Sequence, residues 1–130
     1  MIRIAICDDE NVFVSQVENI LLELCEEESI NIDIDVFYSG NALAKEIAEG
    51  IRYDIIYLDI QMANGDGISA ANKIRNVDEN VIFIFVSGYD KYMIELFSLD
   101  VFSFIRKPID IELFCKVFLQ AHRKICNRNY

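Results

Sequence analysis

Asp54-Ile55-Ile56-Tyr57-Leu58-Asp59 is the stretch on which the fold turns. Its four inner residues are apolar without alternation, so both faces of the segment need cover, as in the central strand of a parallel sheet. Parallel neighbours require crossover connections, which are usually helices. Asp59 then stands at the carboxyl end of that strand, the edge where open α/β sheets hold their ligands. Two other runs end alike: Ile2 to Cys7 runs into Asp8-Asp9, and Val101 to Ile105 runs into Arg106-Lys107-Pro108. Side by side in one sheet, these ends bring three carboxylates and one lysine into one pocket.

Outward from that stretch, helical and strand periods alternate along the whole chain. Phe13, Val17, Ile20, Leu21 and Leu24 recur at helical spacing as one inward stripe, with Glu18, Glu23, Glu26, Glu27 and Glu28 outside. Ile32, Ile34 and Val36 alternate with Asp33 and Asp35, which predicts a strand with one wet face near a sheet edge. Ser39-Gly40 opens a second helix with Leu43, Ile47 and Ala48 inward. Asn64-Gly65-Asp66-Gly67 is turn chemistry before a third helix carrying Ile68, Ala71, Ile74 and Arg75. Val81 to Val86 is a fourth buried strand ending in Ser87-Gly88, and Met93, Leu96 and Phe97 mark a fourth helix. Asp110 caps a last helix to about Asn127, with Phe114, Val117, Phe118, Ala121 and Ile125 inward. Five strands interleaved with five helices predict a doubly wound five-stranded parallel sheet with helices on both faces. The order 2-1-3-4-5 is the simplest that sets strand 1 beside strand 3.

The 130 residues make one domain, 1–130, with no room for a second. A 53% hydrophobic composition with one proline and five glycines excludes disorder. The net charge of -10 argues against direct nucleic-acid binding, because a phosphate backbone needs a basic face. No apolar stretch reaches the ~20 residues of a membrane span, and the N-terminus enters a strand directly, so a soluble cytoplasmic protein is expected. Cys7, Cys25, Cys115 and Cys126 lack the spacing of zinc or redox sites and read as reduced thiols. His122 stands beside Arg123 and Lys124 in a basic last helical turn that complements the helix dipole.

Carboxylates gathered within about 4 Å repel by several kcal/mol even at an effective dielectric near ~20, so such a cluster must protonate or hold a cation. Oxygen donors without a nearby His or usable Cys select a hard ion such as Mg²⁺. A bound Mg²⁺ neutralises an incoming phosphoryl group, Lys107 adds a second positive charge, and Asp59 is the natural nucleophile for an acyl phosphate.

At these residues the chain resembles, over essentially its whole length, the receiver domain of two-component response regulators. The match comprises Asp8-Asp9 after strand 1, Asp59 after strand 3, Ser87 after strand 4 and Lys107-Pro108 after strand 5. Each is weak alone; in this order and spacing the set is specific. The resemblance implies the flavodoxin-like sheet and Mg²⁺ held by Asp9, Asp59 and the Gln61 backbone carbonyl, with Asp8 acting through water. It implies that phosphoryl passes from a histidine kinase phosphohistidine to Asp59, that Ser87 moves to bond the phosphate, and that Phe104 turns inward. The conformational switch then controls an output domain or partner, and the chain catalyses only its own phosphorylation and dephosphorylation. Lys107-Pro108 would carry a cis peptide bond. Ser87 to Tyr92, Phe97 and the segment from Phe102 to Ile109 look most like receivers joined to LytTR-type DNA-binding domains, which makes the expected output transcriptional.

Two positions depart from the family pattern: Ala63 stands where proline is usual, and Phe104 where tyrosine is common. Gln61 and Tyr89 are expected to flank the acceptor and hinder hydrolytic water. Alone, Asp8-Asp9 would read as solvated loop acids or a helix cap, Lys107 as a surface lysine, Ser87 as a turn residue and Phe104 as core. Cys115, Leu119 and Cys126 form a second apolar line on the last helix, either a broad core face or a homodimer face shared with the fourth helix and fifth strand. The rival functional class is a Mg²⁺-dependent aspartyl-phosphate phosphatase or phosphotransferase, which generally carries its nucleophile after the first strand, where this chain has Asp8-Asp9-Glu10-Asn11. A flavin binder of the same fold is opposed by Asp8 and Asp9, which repel phosphate at that loop.

Overall fold

The computed structural model describes residues 1–63, 66–88 and 99–128. Its strands are β1 (Ile2–Cys7), β2 (Ile32–Phe37), β3 (Ile55–Leu58), β4 (Ile82–Ser87) and β5 (Ser103–Arg106), and its helices are α1 (Asn11–Glu27), α2 (Gly40–Ala48), α3 (Gly67–Val77) and the terminal α4 (Ile111–Arg128). The predicted helix with Met93, Leu96 and Phe97 lies outside the described residues, as does Tyr89. The strands form one five-stranded sheet in the order β2-β1-β3-β4-β5, with every neighbouring pair parallel. The doubly wound architecture is the one the alternating periods predict.

Successive strand residues point to opposite faces, so each central strand feeds two cores. Ile4, Ile6, Ile55, Tyr57, Ile82, Ile84 and Val86 pack under α1 and α4, whereas Ala5, Cys7, Ile56, Leu58, Phe83 and Phe85 pack under α2 and α3. That double cover is why β3 is buried at every position. β2 is one of the two edge strands, and its acids are used: Asp35 accepts a hydrogen bond from the Tyr53 hydroxyl at 2.6 Å and lies 3.7 Å from Arg3.

The helix starts follow local chemistry. Ser39 caps α2 by accepting from Ala42 N at 3.1 Å, Asp66 caps α3 through Ser69 N at 2.7 Å, and Asp110 accepts from Leu113 N at 3.2 Å at the start of α4. Helix faces shift in detail. Val14 and Cys25 join Val17, Leu21 and Leu24 in the buried stripe of α1, while Phe13 and Ile20 sit half-buried on its flank. Ala48 is exposed rather than inward, because Leu43 and Ile47 already fill the α2 contact and Ala48 falls past it on the last turn. Arg75 is half-buried for polar reasons: it donates to the carbonyls of Glu79, Val81, Leu99 and Asp100 and lies 4.5 Å over the Phe83 ring. On α4 the predicted core stripe is buried, and Cys115 and Leu119 also pack against the α1 core, which makes them part of one broad core face; Cys126 is exposed.

Two core positions give direct tests. The Tyr57 ring stacks on Phe114 at 5.0 Å, but its buried hydroxyl has no hydrogen-bond partner among the described residues. A buried unpaired hydroxyl costs about 1–3 kcal/mol, so Tyr57→Phe is expected to raise the urea midpoint; a lowered midpoint would contradict the unpaired phenol. A Cβ on Gly67 would lie 1.9 Å from the Asp59 backbone oxygen, closer than atoms can approach. Gly67→Ala is therefore expected to destabilise the protein by about 1–3 kcal/mol through a displaced β3–α3 connection, and an unchanged midpoint would show that this connection yields freely.

Candidate functional site

The sheet register assembles the site. Cys7, Leu58, Phe85 and Phe104 form one row across β1, β3, β4 and β5. Just beyond it, Asp59 N donates to Cys7 O at 3.0 Å and Lys107 N donates to Ser87 O at 3.1 Å, so the ladder continues past the strands and locks their ends. Asp8, Asp59, Ser87 and Lys107 consequently share one end of the sheet. The Lys107–Pro108 peptide is cis, as the resemblance implies.

Lys107 Nζ lies 2.8 Å from Asp8 Oδ2 and 3.3 Å from Asp59 Oδ2. Asp59 is 4% exposed; its Oδ1 accepts from Ile60 N at 2.8 Å, and the fully buried Ser87 hydroxyl also bonds its carboxylate. Asp8 Oδ1 accepts from Glu10 N at 3.0 Å, an Asx turn rather than a helix cap. Asp9 is exposed and accepts from Ala63 N at 3.0 Å. Proline has no N–H to give there, so Ala63 makes a bond that the usual residue at this position cannot. Asp9 also borders an open groove with Gln61, Met62 and Asp66, which leaves the acidic side of the pocket open to solvent.

Burial pushes the Asp59 carboxyl up; the Ser87 hydrogen bond opposes this, Asp8 reinforces it, and Lys107 opposes it, with a net rise. Burial works against the Lys107 ammonium, but its bonds and attraction to Asp8 and Asp59 outweigh that, so its proton is held more tightly than in water. Carboxylate oxygens of Asp8, Asp9, Glu10 and Asp59 come within 4.8 Å of one another. Cys7 adds no soft donor: burial, then Asp8, Asp59 and Asp9, push its thiol up to about 12, and its Sγ faces Ser39 O and Met62 Sδ. The donor set is all oxygen and strongly anionic, which fits a hard divalent cation such as Mg²⁺.

The structure thus brings Asp8, Asp9, Asp59, Ser87 and Lys107 together. Gln61 is exposed on the loop after Asp59. Phe104 is half-buried against the α2–α3 core, opposite Phe85. Two neighbours were not singled out from sequence. Glu10 joins the acidic group; its adjacency to Asp8-Asp9 was the available signal. Phe13 places its ring 3.9 Å from Lys107 Nζ, a contact that helical periodicity disguises as core packing.

Residues 4–118 match the family described as response regulator receiver domain. The chain is 29% identical over 112 residues to the sensory transduction protein LytT of Bacillus cereus, covering 86% of this chain and 44% of that protein. It is 31% identical over 106 residues to the transcriptional regulatory protein LytR of Staphylococcus aureus, covering 79% and 40%. The chain therefore spans less than half the length of these curated relatives. Among solved structures, the REC domain of AraT, a response regulator from Geobacillus stearothermophilus, superposes with a TM-score of 0.84 at 20% identity, covering 99% of this chain and 98% of that one. The response regulatory domain of mrkE from Klebsiella pneumoniae gives 0.84 at 20%, covering 94% and 96%. At such identity these two speak for the fold alone. With the family match spanning nearly the whole chain, the protein belongs to the response regulator receiver domains and is similar to regulators of the LytT and LytR type.

Proposed function

We propose that this receiver accepts a phosphoryl group on Asp59 from the phosphohistidine of a sensor histidine kinase, in a Mg²⁺-dependent reaction. The observation that carries this reading is a buried carboxylate with a raised proton affinity, 3.3 Å from a lysine ammonium and beside an open acidic groove. An Asp59 oxygen forms the new P–O bond as the P–N bond breaks, and the electron pair and a proton stay with the leaving imidazole. Ile60 N–H orients the carboxylate, and Lys107 moves its charge toward the phosphoryl oxygens. Asp9, Asp59 and the Gln61 carbonyl, with Asp8 behind them, would hold Mg²⁺, which would supply positive charge against the same oxygens.

Ser87 already bonds the acceptor and is fully buried, so a phosphoryl group on Asp59 offers its hydroxyl a stronger, anionic partner. Its shift opens room into which the half-buried Phe104 turns. This is the switch in our reading. The chain acts catalytically only on itself, in the cytoplasm, and the similarity to the transcriptional regulatory protein LytR supports a transcriptional output.

Incubation with acetyl phosphate and Mg²⁺ is expected to add one phosphoryl mass to the wild type and none to Asp59→Asn, while Lys107→Ala slows addition by about ten-fold or more. Addition that persists in Asp59→Asn would overturn the assignment. The acceptor's electrostatics give a further expectation. A carboxyl whose folded pKa lies above its unfolded value of 3.8 loses stability as pH rises from that value through the folded one. With chelator present, Asp59→Asn should melt above the wild type at pH 7, and the gap should close below pH 4. An equal gap at both pH values would contradict the raised acceptor.

A further inference from the structure

Lys107 is held by more than its two carboxylates. Its side chain is 10% exposed, and bonds to Asp8 and Asp59 occupy two of its three N–H donors. The Phe13 ring of α1 covers the nitrogen, with its centroid 3.9 Å from Nζ. An ammonium over an aromatic face gains about 0.5–2 kcal/mol, most where water is excluded. Unlike a third carboxylate, the ring imposes no single hydrogen-bond direction. Nζ can therefore slide from Asp59 Oδ2 to a phosphoryl oxygen without leaving it.

We propose that Phe13 is a positioning residue that acts through Lys107: it holds the desolvated ammonium at the acceptor and keeps water from competing for it. The inference rests on Asp59 being the phosphoryl acceptor. Phe13 itself touches neither acceptor nor donor in this role. Its effect should therefore be the same for every phosphoryl donor, whereas a residue that contacts one donor would discriminate among them.

Phe13→Leu keeps an apolar side chain and removes the ring face, Phe13→Met does the same should Leu fail to fold, and Phe13→Tyr keeps the face. In metal-free protein, the ring current should move the Lys107 ε-protons upfield in wild type and Phe13→Tyr, and the shift should vanish in Phe13→Leu. Phosphorylation of Asp59 by acetyl phosphate and by phosphoramidate should slow about three- to thirty-fold in Phe13→Leu with both donors, and Phe13→Tyr should stay within about two-fold of wild type. A Phe13→Leu rate equal to wild type while Lys107→Ala is slow, a loss confined to one donor, or Lys107 shifts unchanged in Phe13→Leu each overturns the inference and leaves the acceptor standing. Failure of the wild type to gain a phosphoryl group on Asp59 sinks the acceptor and this role together.

Discussion

Asp8 and Asp59 are both nearly buried, and the Lys107 ammonium touches both. Without it the two carboxylates would repel by several kcal/mol at an effective dielectric near ~20, and one would take up a proton. With it, two anions and one cation share a pocket that still carries excess negative charge, since Asp9 and Glu10 stand at the rim. The rest of the molecule can be understood as the frame that holds this imbalance. Strand order sets β1 beside β3, the ladder continues past the strand ends, and two separate cores lock the sheet from either face.

An anionic pocket that is incompletely neutralised is poised. Burial raises the proton affinity of Asp59, and Ser87 and Lys107 are the groups that counter it. The packing around them differs in kind. Ser87 lies in a strand with no free surface, whereas Lys107 has a ring on one flank and carboxylates on the other. Ala63 adds a local feature: its N–H ties the exposed Asp9 to the β3–α3 loop, so one acid of the rim and the loop after Asp59 are mechanically joined.

Much of this is legible along the chain. The unbroken apolar run Ile55 to Leu58 demanded a strand covered on both faces, and the alternation of Ile32, Ile34 and Val36 with acids demanded an edge; both stand in the sheet. Where periodicity misled, it did so by about one residue. Val14 and Cys25 belong to the α1 stripe, and Ala48 does not belong to that of α2, because a helical pattern is broad and the neighbouring element decides which flank it covers. Phe13 shows the limit more sharply. As an apolar residue at helical spacing it reads as core, and only the approach of β5's end to α1, across most of the chain, turns its face to an ammonium.

The sequence by itself determined the class of fold and the chemistry at the strand ends, because both rest on short-range pattern: the period of the apolar residues and the type of residue at which each run stops. Tertiary structure alone decided which of those ends meet and at what distance. Lys107 is separated from Asp8 by 99 positions and from Asp59 by 48, yet is in contact with both. It also decided the state of each group, since burial, a Tyr57 hydroxyl without a partner among the described residues and a raised Asp59 depend on what surrounds a side chain rather than on its neighbours in the chain.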